Sequence, residues 1–103
     1  MGVAEISIGQ VMGSGVPAYG AAFASQTMTT TTTSAAAALT DANGAAYAIR
    51  DGDFVRIVAR TTDLYIGIGK SATTAPRRTV LLGTHIDIGP LKVGDTINVA
   101  DIT

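Results

Sequence analysis

The sequence has no cysteine and no tryptophan, a single histidine and few charges. Without cysteine there is no disulfide, no thiol nucleophile and no thiolate metal site. Charged residues make up 15% of the chain, against the ~25% usual in globular proteins. The formal net charge of −1 argues against nucleic-acid binding, which needs clustered Lys and Arg to neutralise phosphates. No apolar run reaches the ~18 residues of a membrane-spanning helix. No basic region precedes an apolar run at the N-terminus, so no secretory leader is expected. Ile6 stands where a myristoylation signal after Gly2 wants Ser or Thr. Aromatics are scarce too: Tyr19, Phe23, Tyr47, Phe54 and Tyr65 are all there are.

What the chain does have is small and aliphatic side chains, with a hydrophobic fraction of 47% over 103 residues. That length is one domain, with a core built from Ile, Val, Leu and Ala. The charges are unevenly placed. Apart from Glu5, every one lies at Asp41 or beyond, and positions 6–40 carry none. Within that uncharged stretch, alternation around Ile6 and Ile8 reads as a strand over 3–12. Gly13, Ser14, Gly15 and Pro17 mark a loop. The five threonines from Thr29 to Thr33 favour a strand over 26–34, because β-branched side chains lose rotamer freedom in a helix. Ala35 to Leu39 reads as continued strand or a short turn.

The second half is punctuated more sharply. Asp41-Ala42-Asn43-Gly44 is a turn, and Asn-Gly is a strong hairpin signal. A short strand over 45–50 and a turn at Asp51-Gly52-Asp53 follow. Over 54–60, Val55, Ile57 and Ala59 share one face and Phe54, Arg56, Val58 and Arg60 the other. Leu64, Ile66 and Ile68 share the next inner face, with Gly67 and Gly69 opposite, permitting close approach. A loop over 71–78 and strands over 79–82, 84–88 and 96–102 complete the set. About eight short strands at turn-bounded intervals give an all-β fold, a small β-sandwich or jelly-roll-like domain. Residues 1–103 form a single β-domain, with 1–25 as an uncharged N-terminal arm and loop and 26–103 as the sandwich core.

The residues that could carry chemistry have plainer readings. His85 alternates with Ile86 and Ile88 and lies beside Asp87, with no nucleophile motif such as G-x-S-x-G in the chain. It reads as a surface or interface histidine. Asp51-Gly52-Asp53 hints at calcium, but an EF-hand needs alternating oxygen ligands and a closing Glu, and no Glu follows position 5. Asp41, Asp51, Asp53, Asp63, Asp87, Asp95 and Asp101 mostly sit beside Gly or Thr, where a carboxylate accepts local backbone N–H bonds. Gly67-Ile68-Gly69-Lys70-Ser71 lacks the glycine spacing of a phosphate loop. A single threonine run lacks the repeating period of an ice-binding face. Arg56 and Arg60 share a strand face and Arg77-Arg78 ends a loop. These arginines either meet carboxylates on a partner or line a solvated face. No catalytic, cofactor-binding or metal-ligating residue is expected, and no enzyme.

From about residue 53 to 102 the chain resembles the small virion proteins of tailed bacteriophages. The carrying residues are Phe54-Val55-Arg56-Ile57-Val58-Ala59, then Leu64-Tyr65-Ile66-Gly67-Ile68-Gly69-Lys70-Ser71-Ala72-Thr73-Thr74, then Val93-Gly94-Asp95-Thr96-Ile97-Asn98-Val99. A Thr/Ala/Ser-rich first half, as in positions 29–38, belongs to the same pattern, whereas Pro76-Arg77-Arg78 is more basic than the pattern. The resemblance implies a capsid decoration (cement) protein that stabilises the head by bridging neighbouring capsid subunits. Its partners would be the major capsid protein or other virion proteins, with further copies of itself in a homo-oligomer, a trimer being expected. No cofactor, nucleic acid or membrane is implied. The protein would be made in the host cytoplasm and lie on the capsid exterior. The alternatives are a neck, head-fibre or spike-base structural protein, and a carbohydrate-binding β-sandwich module. The last sits poorly with a chain that has no Trp and few Tyr to stack on sugars.

Overall fold

Alternation of inward aliphatic and outward small or polar residues builds strands, because successive side chains of an extended chain point to opposite faces. The computed structural model describes residues 2–11, 17–18 and 24–102, and their regular structure is all β. The strands are β1 (Gly2–Val11), β2 (Pro17–Ala18), β3 (Ala24–Thr30), β4 (Ala35–Ala36), β5 (Thr40–Asp41), β6 (Asp53–Ala59), β7 (Leu64–Ile68), β8 (Arg78–Val80), β9 (His85–Ile88) and β10 (Ile97–Asp101). They form two antiparallel sheets. The first runs β5-β3-β1-β6-β9 with β2 on the end of β1, and the second β4-β10-β7-β8.

The two sheets share one core, so the protein is a small β-sandwich. Ala4, Ile6, Ile8, Met28, Val55 and Ile57 from the first sheet meet Leu64, Ile66, Val80, Ile97 and Val99 from the second. All of these are buried, most of them completely. Ile68, Ile86 and Ile88 share the same inner face but stay half-buried.

Each side of the sandwich is closed by a segment that changes sheets. On one side the chain leaves β3 at Thr31, whose carbonyl accepts the Asp101 N–H (2.7 Å). The Thr31 hydroxyl accepts from the Thr33 N–H (3.3 Å), a local bond that competes with the ladder and ends the strand at Thr30. The expected strand over 26–34 is therefore cut short, and Ala35–Ala36 joins the second sheet beside β10. On the other side β8 belongs to the second sheet and β9 to the first. The turn between them is fixed by Thr84, whose N–H and hydroxyl both donate to the Leu81 carbonyl (3.0 and 2.6 Å). That turn takes Leu81 and Leu82 out of the strand expected over 79–82 and leaves them 58% and 52% exposed.

The expected N-terminal arm is corrected over its first part. β1 is the middle strand of the first sheet, paired with β3 from Gly2↔Thr30 to Ile8↔Ala24 and with β6 from Ala4↔Ala59 to Gln10↔Asp53. Ala4, Ile6 and Ile8 are essentially inaccessible. A segment whose one charge is Glu5 suits a strand flanked on both sides as well as it suits an interface, and here the former holds. The rest of the expected arm and loop, 12–16 and 19–23, lies outside the described residues. The chain start also packs beside its end: Gly2 fits against Thr30, Thr62 and Asp101, with no room for a side chain. The Thr30 hydroxyl donates to the Asp101 carboxylate.

The Asn43-Gly44 turn forms as expected. Asp41 Oδ1 accepts the N–H groups of Asn43 and Ala45 (2.9 and 3.0 Å), and Gly44 takes φ +79°, a conformation costly for any residue with a Cβ. The expected strand over 45–50 is reduced to a single bridge, Thr40↔Ala46. Beyond it, Asp53 Oδ2 captures the Arg50 N–H (2.9 Å) and the Tyr47 hydroxyl (2.6 Å), bending this segment away from strand geometry.

Candidate functional site

Register fixes what each sheet shows to the outside. On the first sheet, cross-strand rows read Thr27–Glu5–Val58–His85 and Ser25–Ser7–Arg56–Asp87. The side chains on β3 and β1 are short, and a shallow depression of about 290 Å³ lies over Glu5, Ser7, Ser25, Thr27 and Val58. The charges on this face pair with one another. Arg56 grips Asp87 through two bonds (2.8 and 3.0 Å), and Arg60 Nη1 meets Glu5 Oε1 at 2.8 Å. Of the two readings of Arg56 and Arg60, the sheet face holds and the partner carboxylates are the protein's own. Exposed pairs such as Arg60–Glu5 add at most about 1 kcal/mol. Their effect here is to leave the face electrically balanced.

The second sheet hides its outer face. Residues 70–77 fold back over it, and Gly67 makes this possible. A Cβ on Gly67 would come within 2.6 Å of the Lys70 carbonyl and 2.8 Å of the Ser71 carbonyl. Asn98, opposite Gly67 on β10, donates Nδ2–H to the Lys70 carbonyl (2.8 Å). The Ser34 hydroxyl accepts the Ala72 N–H (2.9 Å), and the Arg77 guanidinium lies 3.8 Å above the Tyr65 ring. Ala72, and Ala100 beside Tyr65 in register, are completely buried outside the central core.

Asp41 and Asp95 accept local turn N–H groups, as their neighbours suggested. Asp51 and Asp63 instead reach segments distant in the chain, accepting the Val93 and Leu82 N–H groups. Asp53 is the exception in depth, with no accessible surface. It is linked to the Tyr47 hydroxyl, which in turn accepts from Arg50 Nε (2.9 Å). Burial, reinforced by the bond to Asp53, pushes the Tyr47 phenol above its ordinary value of 10.0. Sequence reading placed Asp53 only in a turn. The signal was there, since Asp53 has the same alternation phase as Val55 and Ile57 and so had to face inward. Among the described residues no group of three or more His, Cys, Asp or Glu is arranged to hold a metal ion.

His85 lies where alternation put it, exposed on β9 and opposite Val58. Tyr47 and Tyr65, potential platforms for sugars, carry the guanidinium groups of Arg50 and Arg77 over their rings. Comparison with protein-family models, curated proteins and solved structures finds no match.

Proposed function

We propose that this protein is a structural subunit of a virus particle, a capsid decoration (cement) protein that bridges neighbouring capsid subunits and attaches through the outer face of its first sheet. The observation that carries the reading is the contrast between the two outer faces. One is covered by the chain's own loop; the other is a broad surface of Ser, Thr and Val whose charges are already paired. Such a surface can be covered by another protein without stranding an unpaired charge, the main penalty in burying a polar interface. The sequence resemblance to tailed-phage virion proteins supplies the kind of partner, the major capsid protein or other virion proteins. Arg50 and Arg77 over the tyrosine rings weigh against the carbohydrate-binding alternative.

The double variant Ser7→Arg/Thr27→Arg tests the proposal by placing uncompensated charge on the face without touching the core. It should keep the wild-type circular dichroism spectrum and lose co-sedimentation with expanded capsids. Full retention on capsids would overturn the attachment face. Quantitative mass spectrometry of purified virions tests the role: copies in proportion to capsid subunits fit decoration. A single ring's worth fits the neck or fibre-base alternative, and absence from the particle overturns the virion reading.

A further inference from the structure

The edges of the two sheets are not equally protected. Exposed edges invite pairing, and proteins blunt them by keeping them short or by placing Lys or Pro in them. β4 and β5 are two residues long and β8 is three, with the exposed Arg78 in it. Of the four strands that end the sheets, β9 (His85-Ile86-Asp87-Ile88) is the longest and has neither Lys nor Pro. The core is also incompletely closed beside it. Ile68, Ile86 and Ile88 are half-buried there, and a groove of about 220 Å³ opens between Ile88 on β9 and Ile66, Ile68 and Arg78 of the second sheet. Leu81 and Leu82, two of the three large exposed apolar residues among the described ones, stand at the turn leading into this strand.

We infer that β9 pairs antiparallel with β9 of a second copy, about a two-fold axis through Ile86. Backbone direction comes first. Ala59 N–H donates to the Thr84 carbonyl (3.1 Å). Antiparallel strands alternate bonded and non-bonded pairs, so Thr84, Ile86 and Ile88 direct their backbone groups to β6. His85 and the positions in phase with it direct theirs to the open side. Register comes next. An axis through Ile86 sets Ile86 against its own copy and His85 against the second copy's Asp87, twice. Residues directly opposite share a face, so His85 meets Asp87 on the outer side while on the inner side Ile86 meets its own copy and Ile88 faces Thr84. Arg56 already holds the Asp87 carboxylate along that outer face, and a carboxylate offers about four acceptor positions, so the imidazole N–H of His85 can add to the pair. The neighbouring registers fail. An axis through Asp87 opposes two carboxylates, one through His85 opposes two imidazoles, and a one-residue slip sets Ile86 against His85 or Asp87. The edge is thus self-complementary in charge, in apolar contact and in backbone phase at one register, which fits a second copy of this chain better than an unrelated strand. The inference does not depend on the capsid reading.

Sedimentation equilibrium of the full chain should give a concentration-dependent mass of two chains. The absence of native cysteine allows a geometric test. Ile86→Cys should form a disulfide-linked dimer on mild oxidation, because a non-bonded pair on a two-fold axis brings the two Cα atoms within disulfide range. His85→Cys, which would face position 87, should form only a small fraction of that product. His85→Asp should weaken association about tenfold or more by opposing carboxylates, and His85→Arg should retain it. A mass of one chain at every concentration, a mass of three, or equal cross-linking at positions 85 and 86 would overturn the pairing, as would wild-type association of His85→Asp.

Discussion

On the first sheet Ser7, Ser25, Thr27 and Val58 face outward with none of the described residues folded over them, whereas on the second Gly67 and Tyr65 lie under the chain's own 70–77 loop. Both sheets offer similar aliphatic inner faces, so the core does not distinguish them. The difference arises from single positions. Gly67 lacks the Cβ that would hold the loop away, and Asn98 supplies the donor that ties it down. The first sheet places Arg–carboxylate bridges across its strands. One face carries the chain's own loop, and the other turns Ser, Thr and Val outward.

That contrast can be broken most severely by removing β1. Deleting residues 1–11 takes out the strand that links β3 to β6 and the buried Ile6 and Ile8. Each such side chain contributes about 1.5–3 kcal/mol, and the lost ladders on both sides carry the total beyond the reserve of a domain of typical marginal stability. The truncated chain should show no cooperative thermal transition by circular dichroism. A folded product would mean that the second sheet and the switching segments suffice. Next in size is Asp53→Ala, at the start of β6. It leaves the half-buried Tyr47 hydroxyl and the Arg50 N–H without this acceptor, at roughly 1–3 kcal/mol in all. Urea unfolding should register a loss of about 2–3 kcal/mol. Gly67→Val strikes the second sheet alone. Its side chain meets the Lys70 and Ser71 carbonyls, and overpacking of this kind costs about 1–3 kcal/mol. Trypsin should then cut at Arg77 or Arg78 faster than in the wild type, while hydrogen exchange in β1 and β6 stays unchanged.

The smallest effect is one of pH. The Tyr47 phenol is raised above 10.0 by burial and by its bond to Asp53, so folding favours its protonated form. The resulting stabilisation is fully present below pH 10 and is lost as the pH rises through the raised value. Melting temperature should therefore fall above pH 10, and Tyr47→Phe should remove part of that slope. An unchanged slope in the variant would show that the Tyr47–Asp53 bond does not couple to stability.

Much of this architecture was legible in the alternation of the second half. Val55, Ile57, Leu64, Ile66, Ile97 and Val99 face the core as their period-2 phase required. His85, Asp41 and Asp95 also lie where local pattern placed them. The first half was harder to read because the absence of charge has two physical causes. A strand flanked on both sides and a strand awaiting a partner both disfavour charge, and only pairing tells them apart. The covering loop over Gly67 depends on Asn98, some thirty residues away along the chain, a separation no local period reports. The paired state of Arg56 and Arg60 depends in the same way on which strands become neighbours.

Gly2 lies against Asp101, so the two ends of the fold are neighbours, and that proximity makes the domain insertable. A short linker could join the ends and the chain be reopened at the exposed Asn43-Gly44 turn, giving a circular permutant with all its ladders intact. By the same geometry the domain can sit within a longer polypeptide as a bead on a loop. Flanking segments would enter and leave side by side, and the host chain would need to part by no more than the spacing of two packed sheets, about 10 Å.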